Sequence, residues 1–158
     1  MILNRVISGG QTGVDRAALD TALDAGIPIG GYCPKGRLSE EGTIPAKYPL
    51  VEAKSKDYRV RTEMNVIETD GTLIVTIGTL SGGTKLSAEY AQRHRKPFLI
   101  VQLDTSVDLK EVGAWIIANK IQTMNIAGPR ESENKGGSYA RSSVFLKNLF
   151  DYLKSQSW

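Results

Sequence analysis

The chain has 158 residues, of which 41% are hydrophobic, and this is enough for one domain with a buried core of ordinary size. Its 20 basic and 17 acidic side chains give a net charge of +3, which suits a small anionic ligand and is too weak to indicate nucleic acid. One cysteine, one histidine and the lack of a run of about 18 apolar residues exclude an intramolecular disulfide, a Cys/His zinc cluster and a membrane-spanning helix. We therefore expect a single cytoplasmic domain over residues 1–158, with no metal, nucleic-acid or membrane partner.

Short apolar runs alternate along the chain with segments of helical periodicity. Strands are predicted near Leu3–Ser8, Pro28–Tyr32, Thr72–Ile77, Pro97–Gln102 and Ile121–Ala127. Helices are predicted near Val14–Ala25, Tyr58–Glu68, Thr84–Arg95, Leu109–Asn119 and Ser138–Lys154. This alternation predicts an α/β fold, a Rossmann-like three-layer α/β/α domain with a mainly parallel sheet of about five or more strands.

The first glycine cluster lies between the first strand and the first helix. It contains Gly9, Gly10, Gln11, Thr12 and Gly13. Glycines at this position let backbone N–H groups approach a ligand, and the helix N-terminus adds unsatisfied donors and the positive end of its dipole. The cluster matches neither the Walker A pattern nor the GxGxxG dinucleotide pattern. It predicts a phosphate-binding loop, with a tight turn that binds nothing as the alternative.

Two further clusters follow the third and fifth predicted strands. Gly82, Gly83 and Thr84 open the third helix, and Gly128 and Arg130 follow the fifth strand. In open parallel sheets, ligands bind outside the carboxyl ends of the strands. Three glycine-bearing loops on that edge therefore predict a site for a small phosphate-bearing ligand.

Asp15 and Arg16 lie in the first turn of the first helix. The helix dipole favours an aspartate at this position, so Asp15 fits a capping role as well as a ligand contact. The dipole disfavours a cation there, and a bound anion would explain Arg16. Arg37 belongs to the long irregular stretch from Cys33 to Asp57, and loops of this length are usually functional. Its guanidinium either closes over a phosphate through paired hydrogen bonds or is a solvated loop charge.

An arginine stands close to a glutamate at two other places. Arg61 and Glu63 lie at the start of the second helix, and Arg130 and Glu131 follow the fifth strand. Each pair offers a cation for an anion, and a carboxylate for a ribose hydroxyl or for general base catalysis. Surface ion pairing explains the same residues without a ligand.

Several motifs occur in an order that resembles a known family. They are GGQTGVDRAALD, CPKGR, IPAKYPL, RTEMNV, DGTLIV, SGGT and NIAGPRES. The chain resembles the family of putative molybdenum carriers, in the circularly permuted YpsA-type branch of the SLOG superfamily, over nearly its whole length. This resemblance implies a Rossmann-like fold and a nucleotide-like ligand. Compatible ligands include molybdenum cofactor, AMP, ADP-ribose and a cyclic nucleotide.

The wider superfamily includes LOG-type enzymes, which release a base from a nucleoside monophosphate and carry a PGGxGTxxE motif. The corresponding stretch Ser81–Glu89 keeps the paired glycines and the threonine but not the spacing to the glutamate. The sequence therefore favours a binding or carrier protein that needs no catalytic group. One alternative is a nucleotide hydrolase that uses Glu63 or Glu131, and another is a regulatory module whose ligand changes partner binding. Since Rossmann-like domains commonly assemble, we also expect a homo-oligomer.

Overall fold

The computed structural model describes residues 1–133 and 136–157. In chain order, the described elements are β1 (Arg5–Ile7), α1 (Val14–Asp24), β2 (Ile29–Gly30), β3 (Tyr32–Cys33), β4 (Leu38–Ser39), β5 (Gly42–Thr43), β6 (Val51–Glu52), α2 (Tyr58–Ile67), β7 (Gly71–Thr76), α3 (Gly82–Arg93), β8 (Phe98–Gln102), α4 (Leu109–Ala118), β9 (Thr123–Ala127) and α5 (Ser138–Ser155).

The central sheet has five strands in the order β2-β1-β9-β7-β8, and every neighbouring pair is parallel. All residues of β7 are buried, as expected of an apolar strand with a helix layer on each face. The predicted α/β fold with a mainly parallel sheet is therefore confirmed. Because β1, β9 and β7 are neighbours, the three glycine-bearing loops that follow them meet at one edge of the sheet.

The helices form two layers. Helix α1 packs against α5, which also contacts α4, and these helices share the main hydrophobic core with the sheet. Helix α2 packs against α3 around a smaller cluster that contains Val66, Tyr90 and Ala91. This division gives the three-layer arrangement of a Rossmann-like fold. In the part of the chain that the structure describes, no helix is both long and apolar enough to cross a bilayer.

The long stretch from Cys33 to Asp57 is less irregular than its composition predicts. Strands β3 and β6 form a small parallel pair, and β4 and β5 form an antiparallel hairpin. A second core cluster anchors the stretch to α1, and it consists of Leu19, Cys33, Ile44, Tyr48 and Leu50. The short strands went unpredicted because each spans only two residues, too few to show an alternating pattern.

Candidate ligand-binding site

A cleft of about 100 Å³ opens at the edge of the sheet where the glycine-bearing loops meet. Its walls come from the loop after β1, the first turns of α2 and α3, and the loop after β9. The lining residues are Gln11, Asp15, Tyr58, Arg61, Thr62, Gly83, Thr84, Ser87, Ala127, Gly128, Arg130 and Glu133. The cleft therefore brings together residues from four separate parts of the sequence.

The first turn of α3 forms one wall of the cleft. Ser81 precedes this helix, and its side chain makes no capping hydrogen bond. The first backbone N–H groups of any α-helix lack partners within the helix, and the dipole makes this end positive. Gly83 and Thr84 belong to this turn and line the cleft. The second glycine cluster thus provides the arrangement in which helix N-termini bind anions.

Arg61 and Asp15 form a buried ion pair beside the cleft. The Arg61 Nη1 atom lies 3.2 Å from Asp15 Oδ2, and the two side chains are only 11% and 8% exposed. Burial raises the pKa of Asp15 above its usual value, and the attraction of Arg61 offsets only part of this effect. Arg61 Nε is buried and has no hydrogen-bond partner among the described residues. An unsatisfied buried donor on a cation is unfavourable by about 1–3 kcal/mol or more, so a ligand oxygen at this atom would stabilise the site.

A small polar chamber of about 20 Å³ adjoins the cleft and shares Asp15, Arg61 and Ser87 with it. Asn65 and Asn125 line the chamber as well. A buried water needs about 10–15 Å³ and two to four polar partners, so the chamber has room for one water. The inner end of the site is therefore polar.

The loop after β1 uses its amides internally. The N–H groups of Gly10, Gln11 and Thr12 donate to Ser8 Oγ at 3.2 Å, to Asp15 Oδ2 at 3.1 Å and to Gln11 Oε1 at 3.0 Å. Because these three N–H groups already have partners within the protein, we interpret the loop as one that holds neighbouring side chains such as Asp15 in place. Sequence patterns could not distinguish a loop that binds phosphate through its amides from a loop that positions side chains, because both require glycines between a strand and a helix.

Two glycines of this loop allow close approaches. A Cβ on Gly9 would overlap the guanidinium of Arg61, so the missing side chain makes room for that group. Gly13 has a φ of 77° and lies directly against the backbone of Pro129 and Arg130. Only glycine adopts this conformation without strain. The loop after β1 and the loop after β9 can therefore pack directly against each other.

Glu40, at the tip of the β4–β5 hairpin, ties three loops together. Its carboxylate accepts hydrogen bonds from Thr12 Oγ1, from Ser132 Oγ at 2.6 Å and from Ser132 N at 3.1 Å. Thr12 Oγ1 also accepts the N–H of Glu131 at 3.1 Å. Burial raises the pKa of Glu40, but the hydrogen bonds from Ser132 and Thr12 outweigh it, and the pKa lies below its usual value. Thr12 and Glu40 therefore fix the loops around the cleft.

Arg16 and Arg37, both predicted to contact an anion, have protein partners. Arg16 Nε donates to the Gly10 carbonyl at 2.8 Å, and its Nη2 donates to Ser39 Oγ at 3.3 Å. Arg37 donates to the carbonyls of Ile44, Pro45, Tyr48 and Leu50 at 2.8–3.2 Å. Neither residue lines the cleft. Arg37 instead holds together the bend of residues 44–50 through hydrogen bonds to its carbonyls.

The two glutamates predicted as catalytic candidates also lie outside the cleft lining. Glu63 Oε2 is 2.7 Å from His94 Nε2 and 3.8 Å from Arg93 Nη1, at the other end of α3. Glu131 accepts the N–H groups of Gly137 at 3.1 Å and Tyr139 at 2.8 Å, which caps the start of α5. Among the described residues, the carboxylates that line the cleft are Asp15 and Glu133, and Glu133 lies 3.3 Å from Arg130.

Sequence reasoning missed Tyr58, Thr62, Ser87 and Glu133 as lining residues. Helical spacing would have found three of them. Residues 58, 61 and 62 lie on one face of α2, and residues 84 and 87 lie on one face of α3, so known site residues on each helix mark their neighbours.

Comparison with known proteins bears on the family and the fold of the chain. A solved structure described as a putative molybdenum carrier protein from Syntrophus aciditrophicus SB is 42% identical, with a TM-score of 0.87 over 94% of this chain and 95% of that one. No curated protein matches. The model of the circularly permutated YpsA SLOG family matches residues 6–150, which is most of the chain. The chain therefore belongs to the circularly permutated YpsA SLOG family.

Proposed function

We propose that this protein binds a phosphate-bearing, nucleotide-like small molecule in the cleft and acts as a binding or carrier protein. The observation that carries the proposal is the buried Arg61, which lines the cleft and has an unpartnered Nε among the described residues. A phosphate oxygen would satisfy that donor with a charge-assisted hydrogen bond. The uncapped N-terminus of α3 would supply backbone donors and a favourable dipole to the same anion.

The size of the cleft supports a phosphate ester whose remainder lies outside. A volume of about 100 Å³ is several times the 10–15 Å³ that one water needs, but smaller than the roughly 300–1,000 Å³ of a pocket that encloses a whole drug-sized ligand. A phosphate and part of a sugar would fit within the cleft. The base or pterin ring would then lie at its mouth.

The charges that line the cleft favour a sugar phosphate over a bare oxyanion. Arg61 is paired with Asp15, and Arg130 is paired with Glu133. A bare oxyanion such as molybdate would meet both carboxylates and offer them no hydrogen-bond donor. Sugar hydroxyls donate to carboxylates, as in the acidic residue that binds the ribose of a dinucleotide.

Molybdenum cofactor, a pterin with a phosphate, enters this proposal as a cargo because the similar solved structure is described as a putative molybdenum carrier protein. Its phosphate fits the same donors. For the metal end, the described residues hold no group of three or more His, Cys, Asp or Glu side chains that could bind an ion. Cys33 is buried in the second core cluster and does not line the cleft. The described residues thus support recognition of the phosphate rather than of the metal.

The hydrolase alternative has weaker support. Glu63 and Glu131, which it requires, accept hydrogen bonds or form ion pairs elsewhere. A group that abstracts a proton must lie within hydrogen-bond reach of the bound substrate, and neither glutamate lines the cleft. The carrier proposal requires no such group.

A thermal-shift panel tests the proposal. It contains nucleoside mono- and diphosphates, ADP-ribose, a pterin phosphate, ribose 5-phosphate and molybdate, with sodium sulfate at equal ionic strength as the control. A compound present at about 100 times its Kd adds about 2.7 kcal/mol, or on the order of 5–10 °C for a domain of this size. We expect a shift with the sugar or pterin phosphates but not with molybdate. No shift with any phosphate ester at millimolar concentration would contradict the proposal.

We also propose that the protein is cytoplasmic and forms a homo-oligomer. Leu23 and Val144 are 47% and 63% exposed on α1 and α5, the two helices that border a groove of about 450 Å³. A dimer would cover these apolar side chains. Light scattering of the purified protein should give a mass above that of one chain, and a monomeric mass at all concentrations would contradict the assembly.

A further inference from the structure

Tyr58 places an aromatic ring at the rim of the cleft. It is the first residue of α2, it is 43% exposed, and it is a lining residue. The ring atoms Cε2 and Cδ2 lie 3.5 and 3.8 Å from the position that a Cβ on Gly83 would occupy. The ring therefore stands directly beside the first turn of α3, where the proposed function places the phosphate.

The cleft is polar and buried at its inner end and aromatic and exposed at its rim. Asp15, Thr62 and Ser87 are 6%, 8% and 3% exposed, so the inner end is polar and shielded from solvent. Tyr58 is much more exposed and contributes an aromatic ring at the rim. A ligand with one charged end and one flat aromatic end would match this order, because its charge would lie inside and its ring would lie against a ring.

We propose that the ring of Tyr58 is the stacking surface for the base of a nucleoside monophosphate whose phosphate lies at Arg61 and the first turn of α3. This inference rests on the proposed function and names the ligand class of the same site. In a nucleoside monophosphate only the sugar separates the phosphate from the base, so the two groups can contact neighbouring elements. Stacking on an aromatic side chain tolerates any base, because every base has a π-face.

Titration calorimetry with three probes tests this inference. AMP and UMP carry a base, and ribose 5-phosphate carries only the sugar and the phosphate. Wild type should bind at least one nucleotide more tightly than ribose 5-phosphate. Tyr58→Ala should weaken nucleotide binding about 5- to 150-fold, which corresponds to the stacking of one base, and should leave the Kd of ribose 5-phosphate unchanged. Tyr58→Phe keeps the ring and should retain nucleotide affinity.

Val60→Ala is the matched control, since Val60 is 36% exposed on the same helix and does not line the cleft. Thermal melts of each variant establish that it is folded. If Tyr58→Ala weakens the nucleotides and ribose 5-phosphate equally, or weakens neither, the stacking role is wrong and the proposed function stands. If wild type binds ribose 5-phosphate as tightly as the nucleotides, the base makes no contact and the inference fails. If wild type binds none of the three, the proposed function fails and the inference fails with it.

Discussion

The guanidinium of Arg61 lies 3.2 Å from the carboxylate of Asp15, although 46 positions separate the two residues in the sequence. The pair joins the first turn of α2 to the first turn of α1, and Gly9 leaves the space that the guanidinium occupies. Removal of one partner from a buried ion pair leaves the other charge uncompensated, whereas removal of both is often tolerated. The pair therefore gives separate predictions for stability and for binding.

Arg61→Met should lower the free energy of unfolding by about 3 kcal/mol, because Asp15 is left buried without its cation. The double variant Asp15→Asn with Arg61→Met should recover most of this loss, as no buried charge remains. Binding of ribose 5-phosphate should fall at least about tenfold in both variants, since the anion loses its guanidinium. Urea unfolding and calorimetry measure the two effects. Recovery of binding in the double variant would show that Arg61 acts only through Asp15.

The sequence predicted the sheet well and the donors of the site less well. Apolar runs such as the β7 segment predict the order of strands and helices. Glycines at the strand ends predict the edge of the sheet where the loops meet. A backbone N–H group can bind a ligand only if no side chain of the protein already accepts its hydrogen bond. The Gln11 N–H, for example, donates to Asp15. Those contacts arise from residues that are close only in the folded chain. For the same reason, the sequence could not show that Arg37 binds backbone carbonyls.

Glu40→Gln should loosen the loops around the cleft. The variant keeps one acceptor oxygen but replaces the other by an NH2 group, so its side chain cannot accept all three hydrogen bonds from Thr12 and Ser132. Because Glu40 is exposed, we expect a loss below about 1 kcal/mol in the free energy of unfolding. Amide hydrogen exchange near Ser132 should become faster. The neighbouring Glu41→Gln is the control, and equal exchange rates in both variants would contradict the role of Glu40.

The folded protein should lose stability at alkaline pH as two tyrosines that donate hydrogen bonds to Asp20 ionise. Its carboxylate accepts the hydroxyl of Tyr139 at 2.5 Å and that of Tyr48 at 2.6 Å. Burial, with the hydrogen bond to Asp20, raises the pKa of Tyr139 to about 12 and raises that of Tyr48 as well. Tyrosine in an unfolded chain has a pKa of about 10, so the protonated form favours the folded state.

This contribution is fully present below about pH 10 and is lost as the pH rises towards about 12. Urea unfolding between these values should show a smaller decrease for Tyr139→Phe than for wild type, because the variant has no hydroxyl to ionise there. Tyr58→Phe, on a different helix, is the control. A decrease in Tyr139→Phe as large as in wild type would assign the alkaline loss to other groups.

The most direct test of the cleft as a phosphate site is calorimetric titration of ribose 5-phosphate into wild type and Gly83→Glu. Gly83 has an ordinary backbone conformation, and a Cβ there would make only normal contact with Tyr58, so the variant should fold. Its carboxylate would stand at the first turn of α3 and repel the anion. We predict that Gly83→Glu abolishes binding and that the neutral variant Gly83→Gln weakens it less. Wild-type affinity in folded Gly83→Glu would place the phosphate elsewhere and contradict the account.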